Sequence, residues 1–369
     1  MAQLSATNVR DFGAKGDGVT DDSVAIQTAV NSVSVKGGTI LIPDGIYKAN
    51  FTINSSNIGI TGTGTLSGSI NLFGKDTSNA DRFSGTGNIR IDGITIDGGT
   101  TRNGINCKWV FGVFITNVRF NRCVKAINFL PVNKTQHCSR ISITGNQIVD
   151  CNYGLYVDYL PPTDGGDCGV GDVMFANNIY ESRTNYQGGF GNKFHIWANG
   201  LDGLICKGNI LFFAHTGSEQ SNIYIDTFNW VVIEGNNLFE AADSAIICKN
   251  GFNIVISNNN IAWPLKYGVY LSNVIGGIVN ANNLTWKSGP DNVATGVYIE
   301  KSPYFIGNIS NNNFFFPGKY AVNIKDSSYV NITGNIARGQ FGKNQSVKID
   351  SPTTSISVTQ ASNQFTNFA

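Results

Sequence analysis

Seven times in this chain an alternating segment closes on an asparagine followed by an apolar residue: Asn178-Ile179, Asn209-Ile210, Asn237-Leu238, Asn260-Ile261, Asn283-Leu284, Asn313-Phe314 and Asn335-Ile336. Asn237, Asn260 and Asn283 are 23 residues apart, Asn313 and Asn335 are 22 apart, and the longer intervals hold inserted loops. A short, β-rich repeat of this length predicts a solenoid. One such coil cannot bury its own apolar face, so stacked coils share a core and display equivalent positions in columns. The asparagines at the coil ends are expected to bend the chain, to tolerate left-handed backbone and to stack as an internal ladder.

The columns can be read from strand alternation. One strand per coil reads GLYVDY at 154–159, KFHIWA at 193–198, NIYIDT at 222–227, AIICKN at 245–250, GVYLSN at 268–273, GVYIEK at 296–301 and AVNIKD at 321–326, with earlier members GINCKW at 104–109 and AINFLP at 126–131. Alternate residues face opposite sides of a strand. The inward set is then Leu155, Val157, Ile196, Ile223, Ile225, Ile246, Cys248, Val269, Leu271, Val297, Ile299, Val322 and Ile324. All are apolar or cysteine, and a slip of one residue would invert every face.

Two outward columns remain. One runs Tyr156, His195, Tyr224, Ile247, Tyr270, Tyr298, Asn323; the other runs Asp158, Trp197, Asp226, Lys249, Ser272, Glu300, Lys325. Aromatic rings repeating in register on an outer face mark a contact surface. Rings beside carboxylates suit sugars, which present apolar C–H patches and polar edges. Strand propensity alone and an intersubunit contact are the competing explanations.

Composition removes other classes. Charged residues are 14% and the formal net charge is +1, with no basic block for nucleic acid. No apolar run is long enough to insert in a membrane. The opening MAQLSATNVRDFGAKGDG has no charged n-region or apolar h-region, so no secretory signal is expected. The seven cysteines, Cys107, Cys123, Cys138, Cys151, Cys168, Cys206 and Cys248, form no C-x-x-C pair. They read as buried, reduced thiols rather than a zinc site. No linker tract divides the chain, so residues 1–50 form an N-terminal segment and 51–369 one continuous β-helix domain.

In that N-terminal segment, Thr20 and Asp21 are N-cap candidates for a helix with apolar positions Val24, Ile26, Ala29, Val30 and Val33, stopped by Gly37 and Gly38. It would cover the open end of the solenoid. DFGAKGDGVTDDSVAIQTAV followed by GGTILIPDGIY resembles the opening of the pectate-lyase-like superfamily of right-handed parallel β-helices. That superfamily includes pectin-degrading enzymes, alginate epimerases and bacteriophage tailspikes. The resemblance implies an all-β, right-handed parallel β-helix with an N-terminal capping helix. Asp17, Asp21 and Asp22 read as turn and cap residues.

Chemistry comes from the outward columns. Asp158 and Asp226 are expected two coils apart with Trp197 between them, roughly 9.6 Å at the usual strand spacing. That lies near the upper end for an inverting glycosidase, where one carboxyl protonates the leaving oxygen and the other activates water. Glu219, in the insertion AHTGSEQ beside His215, is an alternative partner for Asp226. Tyr156, His195, Trp197, Tyr224, Lys249, Tyr270, Tyr298 and Glu300 are the candidate substrate-binding residues. A rival chemistry is β-elimination on a uronate, with His195, Tyr224 and Lys249 supplying the base and the cation. The aspartates of DYLPPTDGGDCGVGD at 158–172 fit no calcium-loop spacing. No metal or cofactor is expected.

Two patterns of the superfamily are missing. The N-T-D, D-D, G-H-G, R-I-K series of polygalacturonase-type hydrolases does not occur after residue 100, and YGLYVDY lacks the histidine of the epimerase Y-G-F-D-P-H segment. The remaining resemblance is to tailspike depolymerases, without an obvious head-binding or C-terminal trimerisation domain. It implies hydrolysis of a bacterial surface polysaccharide by a viral tail protein made without a signal peptide, as a monomer or homotrimer. Glycan binding without cleavage and a purely structural shaft are the other readings.

Overall fold

The computed structural model describes residues 6–75, 85–130, 137–159, 169–182, 193–214, 220–286, 294–339, 347–350 and 358–367. The fold is an all-β parallel solenoid of about 11 turns with one short helix near the N-terminus, as the repeat predicts. The chain divides into two compact units, Met1–Gly191 and Asn192–Ala369.

In the first unit, Thr86–Asp92, Val110–Thr116 and Cys138–Thr144 pair parallel and in register. Ile91, Ile115 and Ile143 thereby form one fully buried row, and Ile96, Phe120 and Ile148 form another. The early strands are Ile105–Lys108 and Lys125–Phe129, with Ile127 against Ile105 on one side and Leu155 on the other. This is the phase that alternation predicts.

The helix α1, Ser23–Val33, buries Ile26, Ala29 and Val30, but Val24 in its first turn is 79% exposed. The apolar stripe is therefore narrower than the sequence suggests. Polar side chains of α1 take up backbone groups of the strand Ile46–Ile53. Gln27 Nε2 donates to Thr52 O at 3.0 Å, Gln27 Oε1 accepts from Thr52 N at 2.8 Å, and Ser23 Oγ accepts from Asn50 N at 3.0 Å. The preceding aspartates are structural, as expected. Asp22 accepts from the Lys15 and Gly16 amides, Asp17 from those of Val19 and Thr20, and Asp21 from that of Ser23.

In the second unit the inward columns hold throughout. Ile196, Ile223, Ile246, Val269, Val297 and Val322 are in register, as are Ala198, Ile225, Cys248, Leu271, Ile299 and Ile324, all fully buried. The long strands Ile223–Glu234, Ile246–Ser257 and Tyr267–Asn280 are bent at Thr227, Asn250 and Asn273, and Lys301 and Asp326 hold the equivalent places just past Thr295–Glu300 and Tyr320–Lys325, all left-handed with φ from 47° to 54°. The six described cysteines, all except Cys168, are free and buried.

The asparagine ladder exists, but its register differs by one residue in four rungs. The buried ladder of this unit is Asn209, Asn236, Asn259, Asn282, Asn312 and Asn335, ending on the half-buried Asn363, linked amide to amide at 2.9–3.0 Å. Asn237, Asn260 and Asn283 form a second, half-buried ladder beside it, at 3.3 and 3.2 Å. The two roles expected of one asparagine fall on two residues. The residue before each ladder asparagine takes the left-handed bend: Gly208, Gly235, Asn258, Ala281, Asn311 and Gly334, with φ from 55° to 65°. The ladder residue itself is saturated. Asn259 Nδ2 donates to Asn282 Oδ1 and to Ile233 O, and its Oδ1 accepts from Asn236 N and Nδ2. A buried amide is stable only when paired in this way.

Candidate functional site

The outward face of the second unit carries one aromatic column and one charged column. Trp197, Tyr224, Ile247, Tyr270, Tyr298 and Asn323 are in register, and beside them run Asn199, Asp226, Lys249, Ser272, Glu300 and Lys325. The phase on the strand Phe194–Lys207 differs from the sequence reading by two residues. Trp197 stands opposite Tyr224 and joins the aromatic column, and Asn199 takes the place beside Asp226. His195, expected on the outer face, is fully buried at the start of the strand. Its Nε2 donates to Phe212 O at 3.0 Å, and its Nδ1 accepts from Asn222 Nδ2 at 3.1 Å. Burial, opposed only by the Phe212 carbonyl, lowers its pKa to about 3. A neutral imidazole held this way is a structural group and does not reach the outer face.

The columns border an open groove of about 700 Å³ lined by Trp197, Tyr224, Ile247, Lys249, Tyr267, Tyr270, Tyr298 and Glu300, with Phe194, Asp243 and Lys266 at its margin. Trp197 and Tyr224 stack at 6.0 Å and 8°, and Tyr270 and Tyr298 at 5.5 Å and 15°. Ile247, only 7% exposed, interrupts the ladder between the two pairs. Lys249 fills that gap; its Nζ lies 5.3 Å from the Tyr224 ring centroid and 5.8 Å from that of Tyr270. The groove therefore offers two flat apolar platforms with a cation between them.

Each platform is tied to a carboxylate. The Tyr224 hydroxyl donates to Asp226 Oδ2 at 3.2 Å, and Asn250 Nδ2 donates to Asp226 Oδ1 at 2.8 Å. The Tyr270 and Tyr298 hydroxyls donate to Glu300 Oε1 and Oε2 at 2.6 and 2.8 Å. Burial first, then the neighbouring Asp226, push the Tyr224 phenol up to about 12. Burial and bonding to Glu300 push Tyr270 and Tyr298 well above the phenol range. Burial alone would raise Glu300; the two phenols, with Lys301 and Lys325, outweigh it and hold its carboxyl below the ordinary value. All three phenols are thus proton donors at neutral pH, and Glu300 is an ionised acceptor. At the margin Lys266 pairs with Asp243.

Of the sequence candidates, Trp197, Tyr224, Lys249, Tyr270, Tyr298 and Glu300 line this groove, and Asp226 stands at its edge bound to Tyr224. Asp226 and Glu300 are three rungs apart on one column, about 14 Å at roughly 4.8 Å per rung. Tyr156 and Asp158 belong to the first unit, where the Tyr156 hydroxyl donates to Asp158 Oδ2 at 3.2 Å and Lys125 Nζ lies 3.4 Å above the Tyr156 ring. Glu219, His215 and residues 160–168 of the aspartate-rich segment lie outside the described residues. Among the described residues no group of three or more His, Cys, Asp or Glu gathers to hold a metal ion, and no helix is long and apolar enough to cross a membrane.

Sequence reasoning missed Tyr267, whose ring lies 5.4 Å from Tyr270 and 5.0 Å from Tyr298. A signal for it exists. Tyr153-Gly-Leu-Tyr156 and Tyr267-Gly-Val-Tyr270 share one pattern, and in both the paired rings touch, the first at 4.8 Å and 73°.

Comparison with known proteins agrees with the N-terminal resemblance. Residues 6–88 match the family described as rhamnogalacturonase A/epimerase, pectate lyase-like. Alginate lyase 7 of Azotobacter vinelandii is 44% identical over 66 residues, 15% of this chain and 8% of that protein. Mannuronan C5-epimerase AlgE2 of the same organism is 35% identical over 107 residues, 25% of this chain and 11% of that protein. This chain thus spans about a tenth of the length of these curated relatives. In structure, the A-module of mannuronan C5-epimerase AlgE6 from A. vinelandii superposes with a TM-score of 0.67 at 17% identity, over 98% of this chain and 100% of that one. That likeness concerns the fold alone. These sequence relatives are an alginate lyase and a mannuronan epimerase; the missing histidine of YGLYVDY had ranked epimerases behind tailspikes.

Proposed function

We propose that this chain binds a polysaccharide along the aromatic groove of its second unit and cleaves it by β-elimination at a uronate. The observation that carries the reading is Lys249 seated between two stacked aromatic pairs, one rung from the Tyr224–Asp226 pair. Sugar faces rest on the rings, and the Lys249 ammonium neutralises a uronate carboxylate, which acidifies the adjacent C5–H.

The proton inventory then closes. Asp226 accepts the C5 proton as the C4–O4 bond breaks and a C4=C5 double bond forms. The Tyr224 phenol, protonated because its pKa is about 12, gives its proton to the departing O4. Tyr224 recovers a proton from Asp226 through the hydrogen bond they share. The net change moves one proton from C5 to O4 and restores both residues. The names of the relatives, an alginate lyase and a mannuronan epimerase, support a uronate polymer as substrate.

Hydrolysis by a tailspike-like depolymerase acting from a virion tail on a bacterial surface polysaccharide is the second reading. The Tyr224–Asp226 pair itself favours it, because a carboxylate beside a proton-bearing phenol also offers the acid and the base that hydrolysis needs. Asp226 and Glu300 alone do not suffice, since their spacing exceeds the roughly 6.5–9.5 Å of an inverting pair.

The test incubates the protein with alginate and with a panel of uronate-containing capsular polysaccharides. New reducing ends with the ultraviolet absorbance of an unsaturated uronate are the expected result. Reducing ends without that absorbance would replace elimination by hydrolysis. Binding without new ends would reduce the proposal to glycan recognition.

A further inference from the structure

We infer that Glu300 is a positioning residue that fixes the rings of Tyr270 and Tyr298 as one parallel platform for a sugar residue. What the platform binds rests on the glycan-groove reading above; the platform itself rests on geometry.

One motif occurs three times in the chain. Tyr156-Val157-Asp158, Tyr224-Ile225-Asp226 and Tyr298-Ile299-Glu300 each place a phenol two residues before a carboxylate, on the same face of a strand. In the two aspartate versions the carboxylate receives one phenol, from its own strand, at 3.2 Å in both cases. Glutamate is one methylene longer, and the consequence is visible. Oε2 keeps its own-strand phenol at 2.8 Å, while Oε1 accepts the Tyr270 hydroxyl from the preceding rung at 2.6 Å. Two rings on adjacent rungs are thereby tied at their outer ends to a single group.

A tyrosine ring on a strand surface rotates readily about its last torsion, which is broad rather than staggered. Tying both hydroxyls to one carboxylate removes that freedom, and the rings lie at 15° to one another. Tyr267 closes the far side, tilted 32° to both. Rings ordered before the ligand arrives spare the complex an ordering loss at the moment of binding. Against the opposing effect of burial, the two phenols, and after them Lys301 and Lys325, hold the Glu300 carboxyl below its ordinary value, so the acceptor of both hydroxyls is a carboxylate.

The test compares wild type with Glu300→Gln and Glu300→Asp. Ultraviolet titration of phenol ionisation should show two hydroxyls in Glu300→Gln returning toward the ordinary tyrosine range. In Glu300→Asp only the Tyr270 hydroxyl should return, since the shorter side chain keeps its own-strand partner. The near-ultraviolet circular dichroism of the stacked pair should fall in Glu300→Gln. Unchanged titration and dichroism in Glu300→Gln would overturn the inference. Sodium alginate binding, followed by affinity electrophoresis, is the functional arm, with Trp197→Ala as the control on the other platform. Both Glu300→Gln and Trp197→Ala should weaken binding about tenfold, equivalent to about 1.4 kcal/mol. Weakening in Trp197→Ala alone would overturn the role of the platform in binding. If neither variant alters affinity while the spectra of Glu300→Gln change, the groove reading fails and the platform stands.

Discussion

Asn259 donates twice to one atom: its backbone N–H reaches Asn282 Oδ1 at 3.0 Å and its Nδ2 reaches the same oxygen at 2.9 Å. Asn282 Nδ2 in turn serves Ile256 O and Asn312 Oδ1. Asn282→Ala therefore removes the acceptor of the buried Asn259 backbone N–H and of one of the two Asn259 Nδ2 hydrogens, and it takes a donor from the Ile256 carbonyl. The expected loss is about 3 kcal/mol, since each orphaned buried group costs roughly 1–3 kcal/mol and partial relaxation recovers some of it. Asn283→Ala, in the half-buried ladder alongside, should cost under about 1 kcal/mol. Urea denaturation decides between them, provided the slope is unchanged so that the midpoint reports stability.

Ala281 holds a left-handed backbone, φ 55°, where the equivalent positions in other rungs carry Gly208, Gly235 and Gly334. An L-residue with a Cβ pays about 1–2 kcal/mol in this region, and glycine loses part of that advantage in chain entropy. Ala281→Gly should stabilise the protein by about 0.5–1 kcal/mol. A fall in the denaturation midpoint would count against this account of the coil bends.

His195 links stability to pH. Its folded pKa of about 3 lies below its ordinary value of 6.5 because burial disfavours the charged ring. Between those values the unfolded chain binds a proton that the folded chain refuses. Stability is therefore full above about pH 6.5 and declines as pH falls toward 3. His195→Gln removes the titrating group. Denaturation midpoints measured from about pH 7 to about pH 4 should fall more steeply in wild type than in the variant.

Tyr224→Phe keeps the ring that stacks on Trp197 and deletes only the proton donor. On the elimination reading its turnover should fall by roughly 10²–10⁴, the usual contribution of a positioned acid, with substrate affinity largely kept. Lys249→Gln, which removes the charge between the platforms, should weaken both binding and turnover. Steady-state rates followed by the absorbance of the unsaturated product separate the two effects. A Tyr224→Phe enzyme as fast as wild type would remove Tyr224 from the chemistry.

The inward columns were legible because alternation is strict where one face is fully buried; Ile225, Cys248 and Leu271 could not be shifted without exposing them. The ladder was read one residue late where asparagines come in pairs. In Asn236-Asn237 and Asn259-Asn260 both members are amides, and composition does not say which one turns inward. His195 was misplaced because strict alternation fails at the start of its strand: His195 and Ile196 are both buried, and the alternating face begins with Trp197, which is half-exposed opposite Tyr224. The groove itself was half legible. Its aromatic column follows from strand phase, but Tyr267 and Asp243 lie at strand starts and turns, where position depends on how the chain arrives. That Glu300 gathers two phenols depends on side-chain reach, which spacing alone does not encode.

The direction of the asparagine ladder bears on how the molecule is made. Each rung sends its two donors forward, to the rung that follows in sequence, and one amide hydrogen back to the carbonyl of a completed strand. Along the ladder from Asn209 onward, a chain leaving the ribosome therefore ends at each stage in a single coil whose ladder donors still lack side-chain acceptors. The next coil closes it and opens one of its own. The unfinished edge stays the same size as the molecule lengthens, so each finished coil serves as the template for its successor. It also follows that whole coils can be gained or lost without changing the number of unmet polar groups, whereas half a coil cannot.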